Sequence, residues 1–273
     1  MVGWILTNGR HAVTEALVAT DVASRRHHEA FHRFFSRGTW NPDDIGRLLF
    51  QRLLTLLHEG DVIRGAIDDT LAEKRGPKVF GIACHIDPVR STKALKLFSF
   101  GHVWVVLTVV VSVPFSKRPW SLPVLFRLYR GKKECESKGH AYRKKTELAK
   151  EMLDIFVSWA DGRAVRMTAD EAYCNSTVLV DLPDSVPFFG AMRPDAALTA
   201  PPPKRQKTKK GGRPRVRGKP LPKPEAMALN GRGWKRCLVE LYGSCRTVEY
   251  KTVCTQWYRV CGGHLVRVVV VRV

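Results

Sequence analysis

The chain has 273 residues, enough for one large domain that buries about 70–75% of its unfolded surface without covalent staples. Its 46 Lys and Arg against 25 Asp and Glu leave a formal charge of +21. That balance argues against an ordinary small-molecule enzyme and for a polyanionic partner, most simply nucleic acid. No stretch approaches the roughly 18 apolar residues of a membrane span, so no membrane partner is expected. Met1–Thr7 lacks the basic start of a secretory signal, and seven scattered Cys without a C-x2-C pair fit reduced thiols in a cytoplasm.

Residues 1–60 read as helical. Val13, Leu17 and Val18 recur at helical spacing within 11–22, and Phe31, His32 and Phe35 continue the pattern through 24–35. Asn41-Pro42-Asp43-Asp44 is a helix start, with Asn as cap, Pro at the first helical position and acids at the positive end. Leu48, Leu49, Leu53, Leu56 and Leu57 follow, and Gly60 is the expected stop. His28-Glu-Ala-Phe-His32 matches the H-E-x-x-H zinc pattern, but Arg33-Phe34-Phe35 supplies no continuation and no third ligand is in view. The stretch reads better as a helix surface on which Arg25, Arg26 and Arg33 face a phosphate backbone.

From Asp61 the pattern becomes strand-like. Strands are expected over 62–69, 97–113 and 122–130, then a helix over 142–160 ended by Gly162. A short strand over 163–169, a short helical run through Val178, Leu179 and Leu182, and a strand over 186–192 complete the series. Three antiparallel strands followed by right-handed crossovers give the order of a ribonuclease H-like mixed sheet, an α/β fold. In that order the first and fourth strands are parallel neighbours, so Asp68 or Asp69 at the end of one and Asp170 at the end of the other would converge. Paired carboxylates at strand ends are what metal-dependent phosphoryl transfer needs, whereas in a plain reading both acids simply end strands in solvent.

After Arg193 the composition shifts. Residues 201–224 carry Lys204, Arg205, Lys207, Lys209, Lys210, Arg213, Arg215 and Arg217 among Pro and Gly, with no acid. An extended, phosphate-contacting loop is expected. Strand runs over 237–242, 246–256 and 265–273 then suggest a small β insertion, whose Val-rich last run is an edge that needs cover. The expected organisation is a helical region over 1–60, a sheet domain over 61–194 and a basic β-rich insertion over 195–273.

Ile67-Asp-Asp-Thr70, Lys74-Arg-Gly-Pro-Lys78, Gly101-His-Val-Trp-Val-Val-Leu107, Thr168-Ala-Asp-Glu-Ala-Tyr173 and the basic insertion, in this order, resemble DDE-type insertion-sequence transposases. The lead-in 25–35, Val248-Glu-Tyr-Lys-Thr252 and Gln256-Trp-Tyr-Arg259 resemble the same group. The resemblance implies DNA transposition with transposon ends and target DNA as partners, a nucleoid-associated place in the cytoplasm, and room for a homo-oligomer. It implies two Mg²⁺ (or Mn²⁺) held by three acids. The first falls on Asp69, with Asp68 as alternative, and the second on Asp170, with Glu171 beside it. The third, a helical Glu after the insertion, has no counterpart, since Glu225, Glu240 and Glu249 lie in linker and strand settings. A shortened, catalytically incomplete copy is therefore expected, the alternative being a basic nucleic-acid-binding protein without enzymatic activity.

Overall fold

The computed structural model describes residues 2–9, 12–22, 24–76, 78–203, 215–241 and 243–272. They form two compact units, Met1–Ile45 and Gly46–Val273.

The first unit is helical. It holds α1 (Val2–Leu6), α2 (Val13–Ala19), α3 (His28–Ser36) and the start of α4 (Pro42–Leu54). The expected cap is present: the Asn41 side-chain oxygen accepts from the Asp43 amide at 3.0 Å. Helix α3 buries none of its residues, and Phe34 stacks on Trp40 with ring centroids 6.3 Å apart.

The second unit is built on a mixed sheet of β1 (Ile63–Glu73), β2 (Ala83–Ile86), β3 (Phe98–Val111), β4 (Trp120–Tyr129), β5 (Val165–Ala169) and β6 (Phe188–Gly190). The order is β2-β3-β1-β5-β6, with β4 on the same outer edge of β3 as β2. β1 runs antiparallel to β3 and parallel to β5, and β5 runs parallel to β6. This is the mixed α/β architecture that the strand pattern predicts. The short strand β2 had no signal of its own among the Gly and Pro residues around it; it exists because β3 offers a free edge over Phe98–Gly101.

Alternation along β3 is strict, with Val103, Val105, Leu107, Val109 and Val111 all buried, as a strand with one covered face requires. Its partner β4 carries Pro123, which has no amide to give to the ladder. The register shifts there between Leu107 and Thr108, and Val124 and Leu125 are consequently both buried. A Pro is tolerated here because β4 lies at the sheet's edge and the bulge absorbs it.

The connection from β4 carries α5 (Lys132–Ser137) and then α6 (Lys145–Trp159). Helix α6 places Leu148, Ala149, Met152, Leu153 and Phe156 against the covered face of the sheet. Phe50 of α4 meets the Phe156 ring edge-on at 5.2 Å. Gly162, at φ +79°, turns the chain out of α6 as a left-handed residue after a helix should. Beyond β5 come a single 3-10 turn (Glu171–Tyr173) and α7 (Ser176–Leu179).

The remaining segment holds α8 (Pro224–Leu229), β7 (Lys235–Leu241), β8 (Ser244–Gln256), α9 (Tyr258–Cys261) and β9 (Leu265–Arg272). The three strands form a separate antiparallel sheet in the order β7-β8-β9. Its small core of Ala196, Leu198, Trp257, Cys261 and Val268 meets Cys174, Leu179 and Phe188 of the larger sheet region. No helix among the described residues is long and apolar enough to cross a membrane.

Candidate functional site

The last register pair between β1 and β5 is Ile67 with Ala169. Asp68 and Asp69 continue one strand and Asp170 leaves the other, and neighbouring strands lie about 4.8 Å apart. Successive strand residues point to opposite faces, so Asp68 and Asp69 part company. Asp69 shares the face of Ile63, Gly65 and Ile67, which is covered by α6. Asp68 is exposed on the other face, where its Oδ1 accepts from the Asp69 amide at 2.7 Å.

Asp69 is held from two sides. Lys145 Nζ donates to its Oδ2 at 2.7 Å and the Tyr173 hydroxyl donates to the same oxygen at 3.0 Å. The Asp69 side chain keeps only 23% of its surface exposed, and Tyr173 keeps 1%. Burial first, then the Asp69 carboxylate, pushes the Tyr173 hydroxyl pKa up, so it stays a neutral donor.

Asp170 caps the 3-10 turn, accepting from the Ala172 amide at 3.0 Å. Burial raises its pKa above the ordinary carboxylate value, and the charges of Asp68 and Asp69 add to the rise. The cap hydrogen bonds from Tyr173 and Ala172 work against it. Glu171, one residue on, is exposed and lies 4.0 Å from Arg193. The β1–β5 pairing thus puts Asp68, Asp69 and Asp170 at one end of the sheet. Asp69 is on the face covered by α6, Asp68 is on the other face but still acts on Asp170 through its charge, and Glu171 is exposed.

Lys145, Tyr173, Tyr129 and His85 complete the surroundings. Lys145 Nζ lies 5.5 Å from the centre of the Tyr129 ring, and the Tyr129 hydroxyl is 3.3 Å from that of Tyr142. Burial, then Tyr142, pushes Tyr129 up to about 12. His85 carries a buried Nε2 without a hydrogen-bond partner among the described residues. Burial and then the Lys145 charge lower its pKa, against an opposing pull from Asp69. The sequence reading gave none of these four residues a role. Tyr173 had a usable signal, three residues after Asp170 in a turn; Lys145 had none, since 76 residues separate it from Asp69.

One Asp69 oxygen already carries an ammonium and a hydroxyl, Asp170 is engaged in a cap, and Asp68 lies on the other face, accepting from the Asp69 amide. Among the described residues no group of three or more His, Cys, Asp and Glu side chains is arranged to hold a metal ion. The donor set present does not fit a two-metal centre. His28 and His32, with ring centroids 6.0 Å apart on an exposed helix, belong to no such group either.

Of the basic residues singled out for nucleic acid, Arg25 and Arg26 are exposed, and Arg33 is paired with Glu29 at 2.6 Å. Arg215 is exposed, and Arg217 sits over the Tyr258 ring at 5.4 Å. Lys204, Arg205, Lys207, Lys209, Lys210 and Arg213 lie outside the described residues.

Comparison with known proteins gives one result. A family model described as DDE superfamily endonuclease matches residues 1–240. No curated protein matches the chain, and no solved structure does.

Proposed function

Because the chain belongs to the DDE superfamily endonucleases, we propose that it is a transposase-type DNA-binding protein whose strand-cleaving site is incomplete among the described residues. DDE endonucleases generally use divalent metal ions, and their substrate is DNA. The reading takes Asp69 as the first acid of the site and Asp170 as the second. The observation that supports it is the pairing of β1 with β5, whose shared end carries both acids, while among the described residues no group of three or more ligands is arranged for a metal.

What this site does with its own residues follows from the geometry. Lys145 and Tyr173 fix the Asp69 carboxylate in one orientation, and Asp170 keeps its backbone turn. With one Asp69 oxygen taken up by Lys145 and Tyr173 and Asp170 engaged in its turn, the site is expected to hold DNA without cutting it. The charge of +21 supplies that binding, through the basic segment 201–224 and through Arg25 and Arg26. Its place is the nucleoid, where transposon ends and target DNA are the partners.

The Lys145 contact to Asp69 also favours a second reading, in which the acids are structural and the protein binds nucleic acid without any metal chemistry.

One experiment addresses both. Binding to a short duplex is measured between 50 and 300 mM salt as an on-the-order-of range, and a protein engaging five phosphates has a log–log slope of about −4.5. The same preparation is incubated with supercoiled plasmid and Mn²⁺. Salt-sensitive binding without nicking is expected. Nicking abolished by Asp170→Asn would overturn the incomplete-site reading, and a flat salt response would overturn the DNA reading.

A further inference from the structure

The first residue of α6 is a position that local helix physics does not assign to a lysine. The first turn of a helix is the positive end of its dipole, where acids are favoured and cations are not. The chain nevertheless places Lys144 and Lys145 there, with the Lys144 amide satisfied by Glu147 Oε2 at 2.8 Å. Lys145 is then compensated by tertiary structure: its ammonium lies 2.7 Å from Asp69 Oδ2 and over the face of Tyr129. Tyr173 closes the same oxygen from the other side.

We propose that Lys145 is the resident cation of this site, occupying on Asp69 the place that a divalent metal would need. Lysine and metal then compete for one carboxylate. The proposal rests on Asp69 being the first acid of the site, and it explains why the donor set fails to fit a metal pair. A single ammonium neutralises one charge at one oxygen, which is the smaller of two ways to satisfy this carboxylate. The helix start is capped by Glu147 independently of the Lys145 side chain, so the Lys145 ammonium can leave Asp69 without disturbing the first turn of α6. Its side chain is about one-third exposed, so a small ion reaches the contact from solvent.

The test is a Mn²⁺ titration of the full chain without DNA, followed by calorimetry and by the loss of free-ion electron paramagnetic resonance signal. Lys145→Met keeps the aliphatic stem and removes the charge. It is expected to bind Mn²⁺ about tenfold more tightly than the parent, the factor that ~1.4 kcal/mol of lost competition produces. Lys145→Arg is expected to behave as the parent, and adding Asp69→Asn to Lys145→Met is expected to erase the gain. Equal affinity in parent and Lys145→Met, the case where neither binds included, overturns the proposal, as does a gain that survives Asp69→Asn. Lys145→Gln repeats the measurement if circular dichroism shows Lys145→Met to be misfolded. A protein that fails to bind DNA leaves this measurement intact, so the two readings fail separately.

Discussion

The two sheets of the second unit are made in different ways. In the larger sheet the covered face is almost wholly apolar: Ile63, Ile67, Val105, Leu107 and Val109 keep 2% or less of their surface exposed and lie under Met152, Leu153 and Phe156. In the smaller sheet only Val248 and Val268 among the described strand side chains are apolar and buried, and Leu238, Leu265, Val269 and Val271 are open. Beside its small apolar core, charge spans its strands. Glu249 bridges Arg236 at 3.0 Å and Arg272 at 2.6 Å across all three strands, and Trp234 lies under both Lys251 and Arg272. One sheet is an apolar platform whose end carries Asp69 and Asp170; the other adds a cluster of paired charges across its strands.

Three measurements would sharpen or break this contrast. The largest effect is expected from Phe156→Ala, which empties the space between Phe50, Met167 and the sheet. A fully buried aromatic truncated in a core costs about 3–5 kcal/mol, read as a lower midpoint in urea unfolding at unchanged slope. A loss well below that would mean the platform is not the principal core.

The middle effect belongs to Glu151, which ties α6 to β4 by accepting from Arg127 at 2.8 Å and by pairing with Arg143. Burial raises its pKa, but the two arginines outweigh that and leave it below the ordinary 4.5. A carboxylate lowered on folding stabilises the protein above its unfolded value and loses that stabilisation as pH falls through its folded value. Glu151→Gln is therefore expected to cost about 1–2 kcal/mol at pH 7, discounted for partial exposure. The parent and the variant should converge in thermal stability below pH 4.5. A gap that persists in acid would assign the loss to packing instead.

The smallest effect is expected from Glu249→Gln in the smaller sheet. Hydrogen bonds from Arg272 and Arg236 hold its carboxyl below the usual range, but the cluster is open to water and screened by ions. Its contribution should be visible in melting curves at low salt and vanish near 1 M, where the Debye length shrinks to about 3 Å. A salt-independent loss would place this sheet with the other one, as a structure held by burial.

Much of this was readable from residue types. Alternation along 98–111 and the helical period of 145–159 each follow from a face that must be buried, and such periods are local properties. The strand order then predicted that β1 and β5 would be parallel neighbours. The short pieces were not readable, because β2 and α8 have few residues and little intrinsic preference. β2 is set by the free edge of β3, a property of the assembled sheet.

The site divides along the same line. The acids at 68, 69 and 170, their strands and the surplus of positive charge are matters of sequence, because they depend on residue identity and on periods of two and 3.6. Which acid faces the helix and which faces solvent follows from the pleat once the covered face is known, and the covered face is decided by α6. That Asp69 is met by Lys145 from 76 residues away and by Tyr173 from 104 away was decided only by tertiary structure. Those contacts join side chains that no local pattern couples, and they exist because packing α6 on the sheet brings a helix start and a turn over the end of β1.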